Sequence, residues 1–300
     1  MATLYTQQSS NITKTYLLMG TFLVLVIAIC YGVSFYFDNP AILYIGAVLA
    51  LFMSIGSYWF SDKVVLKMTN ARQVTKEQAP DLYNIVENLS ITAGLPMPRV
   101  FVVDDPSPNA FATGRDPEHA VVAATTGLLR ILDRSELEGV MAHELSHIGN
   151  RDMLVMTVTV VLAGFIAIVA DMFTRLMFFG GGNDNRDRHP AFLIVGIIGI
   201  VLAPLAAKMI QLAISRKREY LADATGALLT RYPDGLASAL EKISQFSMPM
   251  RNASHATAHL FISDPFKSNG KGIKNAINSW FQTHPPAEDR IRRLRGMNSL

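Results

Sequence analysis

Residues 141–152 read MAHELSHIGNRD, and residues 153–170 continue without a break as MLVMTVTVVLAGFIAIVA. The first piece holds the pattern H-E-x-x-H at His143, Glu144 and His147, in a stretch with no helix breaker before Gly149. On an α-helix, side chains four apart share a face with Cβ atoms about 6 Å apart, so both imidazoles can reach one metal ion. Glu144 lies about 100° further round the helix, badly placed as a third ligand and well placed to meet a water beside the metal. The second piece is as apolar as a bilayer span. A water-activating pattern therefore abuts a lipid-soluble segment, and that junction decides what kind of protein this is.

Half of the 300 residues are hydrophobic, charged residues make up 17%, and mean hydropathy is +0.26. That excess over an ordinary soluble domain points to membrane segments. Four runs suit the ~20 residues a bilayer core requires: Tyr16–Phe37, Ala41–Phe60, Met153–Phe179 and Ala191–Ile214. The first is read as a retained anchor, because bulky YGVSFYF stands where a signal peptide would carry small residues for cleavage. Net charge is only +3, with no basic block interleaved with aromatics, which argues against a nucleic-acid partner. The single cysteine, Cys30, lies in an apolar run, so a metal site must draw on His and carboxylate ligands.

Basic residues set the expected orientation. Lys63, Lys67 and Arg72 follow the second run, and Arg216, Lys217 and Arg218 follow the fourth. The DNP turn between the first two runs has no base, and GGGNDNRDRHP balances Arg186 and Arg188 with Asp184 and Asp187. Both termini and both polar regions are therefore expected on the cytoplasmic side. The expected division is a transmembrane hairpin (1–60), a first polar region (61–152), a second hairpin (153–214) and a second polar region (215–300).

The first polar region reads as a small α+β unit. APDLYNIVENLSITAGL puts Leu82, Ile85, Val86, Leu89 and Ala93 on one helical face, with Gly94 as the stop. RVFVVDD and HAVVAAT are β-branched strands around the turn-rich PSPNAFATGRDP. SELE reads as a capping box, with Ser135 as N-cap and Glu138 three residues on, opening the helix that carries H-E-x-x-H. The second polar region looks mainly helical. The fourth run continues into SRKREYLADATGALLTR as one long helix, DGLASALEKISQF forms another, and SMPMRNASH and SDPFKSNGKG look like loops. HPPAEDRIRRLRG closes the chain as a helix with Glu288 and Asp289 in its first turn and Arg292, Arg293 and Arg295 in its last, matching the helix dipole.

H-E-x-x-H can also arise by coincidence on a surface helix, so the zinc reading requires a third ligand. A metzincin would place Gly and His where this chain has Asn150 and Met153. SRKREYLADATG offers Glu219 and Asp223, four apart on one helical face. Glu219 can complete a His₂Glu site and Asp223 can hold the outer ring nitrogen of a ligand histidine. Spacing alone leaves a second reading open, in which Glu219 belongs to a solvated Arg/Lys/Glu face. In the zinc reading, the metal polarises a carbonyl and lowers the pKa of water towards ~7. Glu144 takes the proton of the attacking water and returns it to the leaving amine.

MAHELSHIGNRD, SRKREYLADATGA, PNAFATG and the terminal THPPAEDRI, in this order around four apolar runs, resemble the HtpX family. These are bacterial heat-shock membrane metalloproteases related to the CAAX prenyl proteases, and the resemblance covers essentially the whole chain. It implies a mainly α membrane protein with a small β element. Four transmembrane helices would accompany a cytoplasmic α+β zincin-like domain assembled from the two polar regions. It further implies a zinc endopeptidase of the bacterial cell membrane that degrades misfolded or damaged membrane proteins. One zinc per subunit would be held by His143, His147 and Glu219, with Glu144 as the catalytic carboxylate. Pro108–Ala112, with Asn109, Ala110, Phe111 and Ala112, would form an edge strand that holds substrate extended. His284 would stand near the zinc and stabilise an oxyanion, while its place before two prolines and a helix start reads equally as a turn residue.

Other residues carry weaker signals. His255 and His259 are four apart but have no acid beside them, and a polar loop is the better reading. Tyr220 could donate to an oxyanion or simply pack. Asn150 and Asp152 can cap the motif helix or support the site, and the structural role is the favoured reading. Two competing functions have a sequence basis: an intramembrane protease using Asp234 of YPDG as third ligand, and a catalytically silent membrane chaperone. Arg134, Glu136 and Glu138 make the motif helix too polar for the first, and intact Glu144 argues against the second.

Overall fold

The computed structural model describes residues 4–36, 38–179, 216–246, 248–251, 254, 257–266 and 285–297. The fourth apolar run, His255 and His284 lie outside the described residues.

Two long helices open the chain, α1 (Leu4–Tyr36) and α2 (Pro40–Met68), joined by a tight turn in which Asn39 caps α2 through Ala41 N. Ser9–Phe35 and Pro40–Met68 are each long and apolar enough to cross a membrane. The first polar region was expected to begin at residue 61, but α2 runs on through Met68. Lys63 and Lys67 are good helix formers, and nothing stops the helix before Thr69.

A short strand β1 (Arg72–Gln73) precedes α3 (Pro80–Ala93), whose buried face is Leu82, Ile85, Val86 and Leu89. Gly94 ends α3 in the left-handed region (φ 64), which glycine enters without a Cβ penalty. Strands β2 (Arg99–Val103), β3 (Ala110–Thr113) and β4 (Val121–Thr125) follow. Among the described residues they form a four-stranded sheet in the order β1-β2-β4-β3. The β2–β4 pairing is parallel and the other two are antiparallel, so β3 stands at an edge.

A short α4 (Thr126–Ile131) leads to the motif helix α5 (Arg134–Gly149). Its N-cap is Asp133, paired reciprocally with Glu136, and not Ser135 with Glu138. DRSE and SELE both fit the capping pattern. The helix takes the earlier one, where the cap is a carboxylate and Lys242 also bonds Glu136 at 2.7 Å. At the far end Asn150 is the C-cap and Arg151 turns through φ 57. Helix α6 (Asp152–Phe179) then leaves at 83° to α5. By length and composition the bent α5–α6 pair is a third candidate span.

After residue 215 come α7 (Arg216–Thr230), α8 (Pro233–Gln245) and α9 (Ala287–Gly296). Three apolar clusters result among the described residues. Leu18 and Phe22 of α1, Ala50 of α2 and Leu154, Val155, Val158, Leu162 and Ile166 of α6 make one. A second joins α3, the inner sheet face, α5, α8 and Leu294 of α9. The third packs Phe101, Val103, Phe111, Val121 and Ala123 of the sheet with Met156 and Val160 of α6 and Phe261. A Cβ on Gly139 would stand 2.5 Å from Leu236 N, so only glycine lets α5 and α8 cross this closely.

Candidate metal centre

The crossing of α5 and α7 builds the site. On α7, Glu219, Asp223 and Gly226 recur at helical spacing and face α5. A Cβ on Gly226 would lie 2.9 Å from His143 N, so the missing side chain seats α7 against the turn that carries the first histidine. Ligand atoms of His143, His147 and Glu219 then lie within 4.8 Å of one another, and all three residues are buried. The two Nε2 atoms are 3.2 Å apart. Two nitrogens bound at 2.0–2.1 Å with tetrahedral geometry stand about 3.3 Å apart. Glu219 places one carboxylate oxygen 3.7 Å from His147 Nε2 and the other 3.8 Å from His143 Nε2. Two imidazoles and one carboxylate are a donor set suited to zinc.

Each imidazole is oriented from behind. His143 Nδ1 is 3.0 Å from Asp223 Oδ1, and His147 Nδ1 is 3.2 Å from Asp152 Oδ2. A carboxylate at Nδ1 keeps the proton there and leaves the Nε2 lone pair facing the shared point. Asp223 is where the sequence placed it. For Asp152 the structure favours the less expected of its two roles: it opens α6, and its side chain supports the site by holding a histidine of the motif.

Arg290 is the residue that sequence reasoning missed. It comes from α9, is 1% exposed, and grips Asp223 with two hydrogen bonds, Nε to Oδ2 at 2.9 Å and Nη2 to Oδ1 at 2.7 Å. Its Nη1 donates to Ile262 O at 3.2 Å. A signal was present. Arg290 stands four residues before Leu294, the apolar anchor of α9, and so shares its inward face.

Charges follow from burial and these partners. Burial pushes the Glu144 carboxyl up to about 7, with nearby Glu219 adding to the rise while His147 and Arg290 oppose it. One Glu144 oxygen accepts from the backbone of Ala112 on β3, and Oε2 is buried with no hydrogen-bond partner. Burial also holds the His143 imidazole down at about 4. It opposes charge on His147 too, but there Asp152 and Glu219 prevail and raise the imidazole to about 9. Burial works against ionised Asp223, yet the Arg290 guanidinium brings it to about 2. A protonated His147 must lose its proton to ligate, so metal binding at this site releases protons.

The edge strand β3 lies beside α5 with its outer polar groups already engaged. Ala110 O accepts from Ile262 N at 3.0 Å, and Phe111 pairs antiparallel with Phe261. Asn109 bonds both sides of Ser263, accepting from its N at 3.2 Å and donating to its O at 3.0 Å. Ala112, next along, faces Glu144.

The remaining candidates lie apart from the donor cluster. Tyr220 bonds Asp289 and lies under the Arg293 guanidinium, which makes it a packing residue. Asp234 is in the first turn of α8 behind Pro233, so YPDG opens the helix expected for DGLASALEKISQF. His259 is buried in a 3-10 turn and bonds Met156 O of α6 at 3.0 Å, a link between core elements in place of a polar loop.

Comparison with known proteins agrees with this geometry. The model of peptidase family M48 matches residues 76–298. A protein named Protease HtpX homolog from Caldanaerobacter subterraneus subsp. tengcongensis is 46% identical over 302 residues, covering 98% of each chain. One of the same name from Pyrococcus furiosus is 49% identical over 278 residues, covering 92% of this chain and 93% of its own. The crystal structure of S. mikatae Ste24p superposes with a TM-score of 0.52 at 19% identity, over 97% of this chain and 66% of that one, a likeness of fold.

Proposed function

This chain belongs to peptidase family M48, among homologues of the HtpX proteases, and from that premise we propose how its residues carry out hydrolysis and on what. It is a membrane-associated metallopeptidase. We assign one zinc ion per subunit to His143, His147 and Glu219. The observation that carries the assignment is the convergence of these three buried donors beside Glu144, whose Oε2 points to no protein partner. When bound, zinc supplies a Lewis acid that polarises a carbonyl and acidifies water.

The chain's own groups do the rest. Asp223 and Asp152 keep the two imidazoles in the ligating tautomer. Glu144, lifted towards neutrality by burial, takes the proton of the attacking water and passes it to the leaving amine. Arg290 neutralises Asp223 and keeps the negative charge of the site from accumulating. An extended substrate pairs with the outer edge of β3 from Ala112 onward. Support comes from the segment Phe261–Ser263, which already lies antiparallel on that edge at Asn109–Phe111.

The substrates are misfolded or damaged membrane proteins cut at the cytoplasmic face, by a chain with four spans and both termini inside. Support comes from the direct join of α5 to apolar α6, from the packing of α6 on α1 and α2, and from the distribution of basic residues in the sequence. Digestion of an unfolded polypeptide by the purified protein tests the mechanism. Chelation should abolish cleavage and added zinc restore it, while Glu144→Gln should retain zinc and lose hydrolysis. Near-wild-type cleavage by a folded, zinc-loaded Glu144→Gln protein would refute the role of this carboxylate.

A further inference from the structure

An amide inside an apolar helix costs free energy unless hydrogen-bond partners lie close by. Helix α1 carries such an amide at Asn11, which is 1% exposed, and both of its N–H groups are used. One donates to Asn150 O at 3.1 Å and the other to Asp152 Oδ1 at 2.6 Å. The first acceptor is the C-cap of α5 and the second is the carboxylate behind His147. Asp152 thus has its two oxygens divided, Oδ1 taking Asn11 and Oδ2 facing His147 Nδ1. Among the described residues the cation facing Oδ1 is Arg218, whose Nε stands 3.8 Å away, beyond hydrogen-bond reach.

We propose that Asn11 of the N-terminal helix is a positioning residue of the metal centre, fixing the Asp152 carboxylate that orients His147. A carboxylate turns easily about its last torsion, which has broad, two-fold wells. Held at one oxygen only, it can swing and let the imidazole follow. Held at both, its plane is set, and with it the direction of the His147 lone pair. By gripping Asn150 O at the same time, Asn11 also fixes where the ligand helix ends relative to Asp152. The first membrane helix is then part of the metal site as well as an anchor. This inference rests on the reading of His147 as a metal ligand.

The test is a mutant cycle on full-length protein purified in detergent, with zinc affinity measured by competition against a chromophoric chelator. The visible spectrum of the cobalt-substituted protein provides a second readout. Asn11→Leu keeps the side-chain volume and suits an apolar helix, and Asn11→Ala guards against a packing artefact. Each should weaken zinc binding about 10-fold, the lower end for loss of a group behind a ligand, and shift the cobalt bands. Asp152→Ala should weaken binding at least as much, and Asn11→Leu added to it should cost clearly less than it does alone, because no carboxylate remains to be oriented. Zinc affinity within twofold of wild type in both Asn11 variants, or losses that simply add in the double variant, would overturn the proposal. Wild-type zinc affinity in His147→Ala would instead remove the ligand assignment beneath it, a separable outcome.

Discussion

Arg290→Met isolates the ion pair behind the first histidine. Methionine fills much of the same space, so the change removes charge and three hydrogen bonds while leaving packing nearly intact. What remains is Asp223, 3% exposed and without its guanidinium. Breaking one side of a buried pair costs about 3–5 kcal/mol, because the surviving charge stays desolvated. At roughly 2 °C per kcal/mol for a chain of this size, Tm should fall by about 6–10 °C at pH 7. The pH dependence has a definite sign. The folded Asp223 carboxyl titrates at about 2, below its ordinary 3.8, so the pair's contribution is complete above pH 3.8 and lost as pH falls through about 2. In the variant, burial raises the Asp223 pKa with only His143 left to oppose it, so the gap to wild type should narrow on acidification. Melting of the chelated protein by circular dichroism, at one scan rate, measures this. Asp223→Asn combined with Arg290→Met should recover most of the lost stability, since neither charge is then stranded. An Arg290→Met protein that melts within 2 °C of wild type at pH 7, or a double variant no better than the single one, would refute this account of the pair.

Two further outcomes are expected. Glu219→Ala should lose both bound zinc and peptide hydrolysis, while Asp234→Ala, changed in the first turn of α8, should keep both; metal analysis showing the reverse would favour the intramembrane reading. In a Cys30→Ser background, an impermeant thiol reagent on intact cells should label Asn39→Cys in the α1–α2 turn and leave Lys67→Cys unlabelled, and the opposite pattern would invert the proposed topology.

The sequence made the local elements legible where one signal dominated. α3 shows its buried face through 3.6-residue spacing and its end through Gly94, and β2 and β4 show as β-branched runs between turns. Competing signals shifted boundaries. Asp133 and Ser135 both suit an N-cap, and helix-forming Lys63 and Lys67 carry α2 past its apolar run. The two histidines of the donor cluster were legible because their spacing of four survives without tertiary information, whereas spacing left Glu219 open and the family resemblance singled it out. Of the groups behind it, Asp223 was legible by the same spacing and the others were not. Arg290 acts on a carboxylate 67 residues away and Asn11 on one 141 residues away, while Asp152, five residues past His147, reaches it only through the bend between two helices. A buried arginine on a short, highly charged helix reads as one more solvated base until Leu294 on the same face is given weight.

The junction of motif helix and apolar helix then has a physical reason. His147 requires an anion at its Nδ1, held still in a low-dielectric interior, and an isolated buried carboxylate is costly. The first turn of a helix meets this need, because its unsatisfied N–H groups present positive partial charge to an acid there. Asp152 sits in the first turn of α6, and the break at Asn150 and Arg151 turns that helix start back towards His147. Had α5 continued straight, residue 152 would lie about 1.4 turns beyond His147 and away from its ring. The bend of 83° brings the carboxylate to within 3.2 Å of it. The helix that supplies the anion must be firmly anchored, and α6 is, through Leu154, Val155 and Val158 packed against α1 and α2. Apolar packing thus begins two residues after the carboxylate because that packing is what keeps the carboxylate in place.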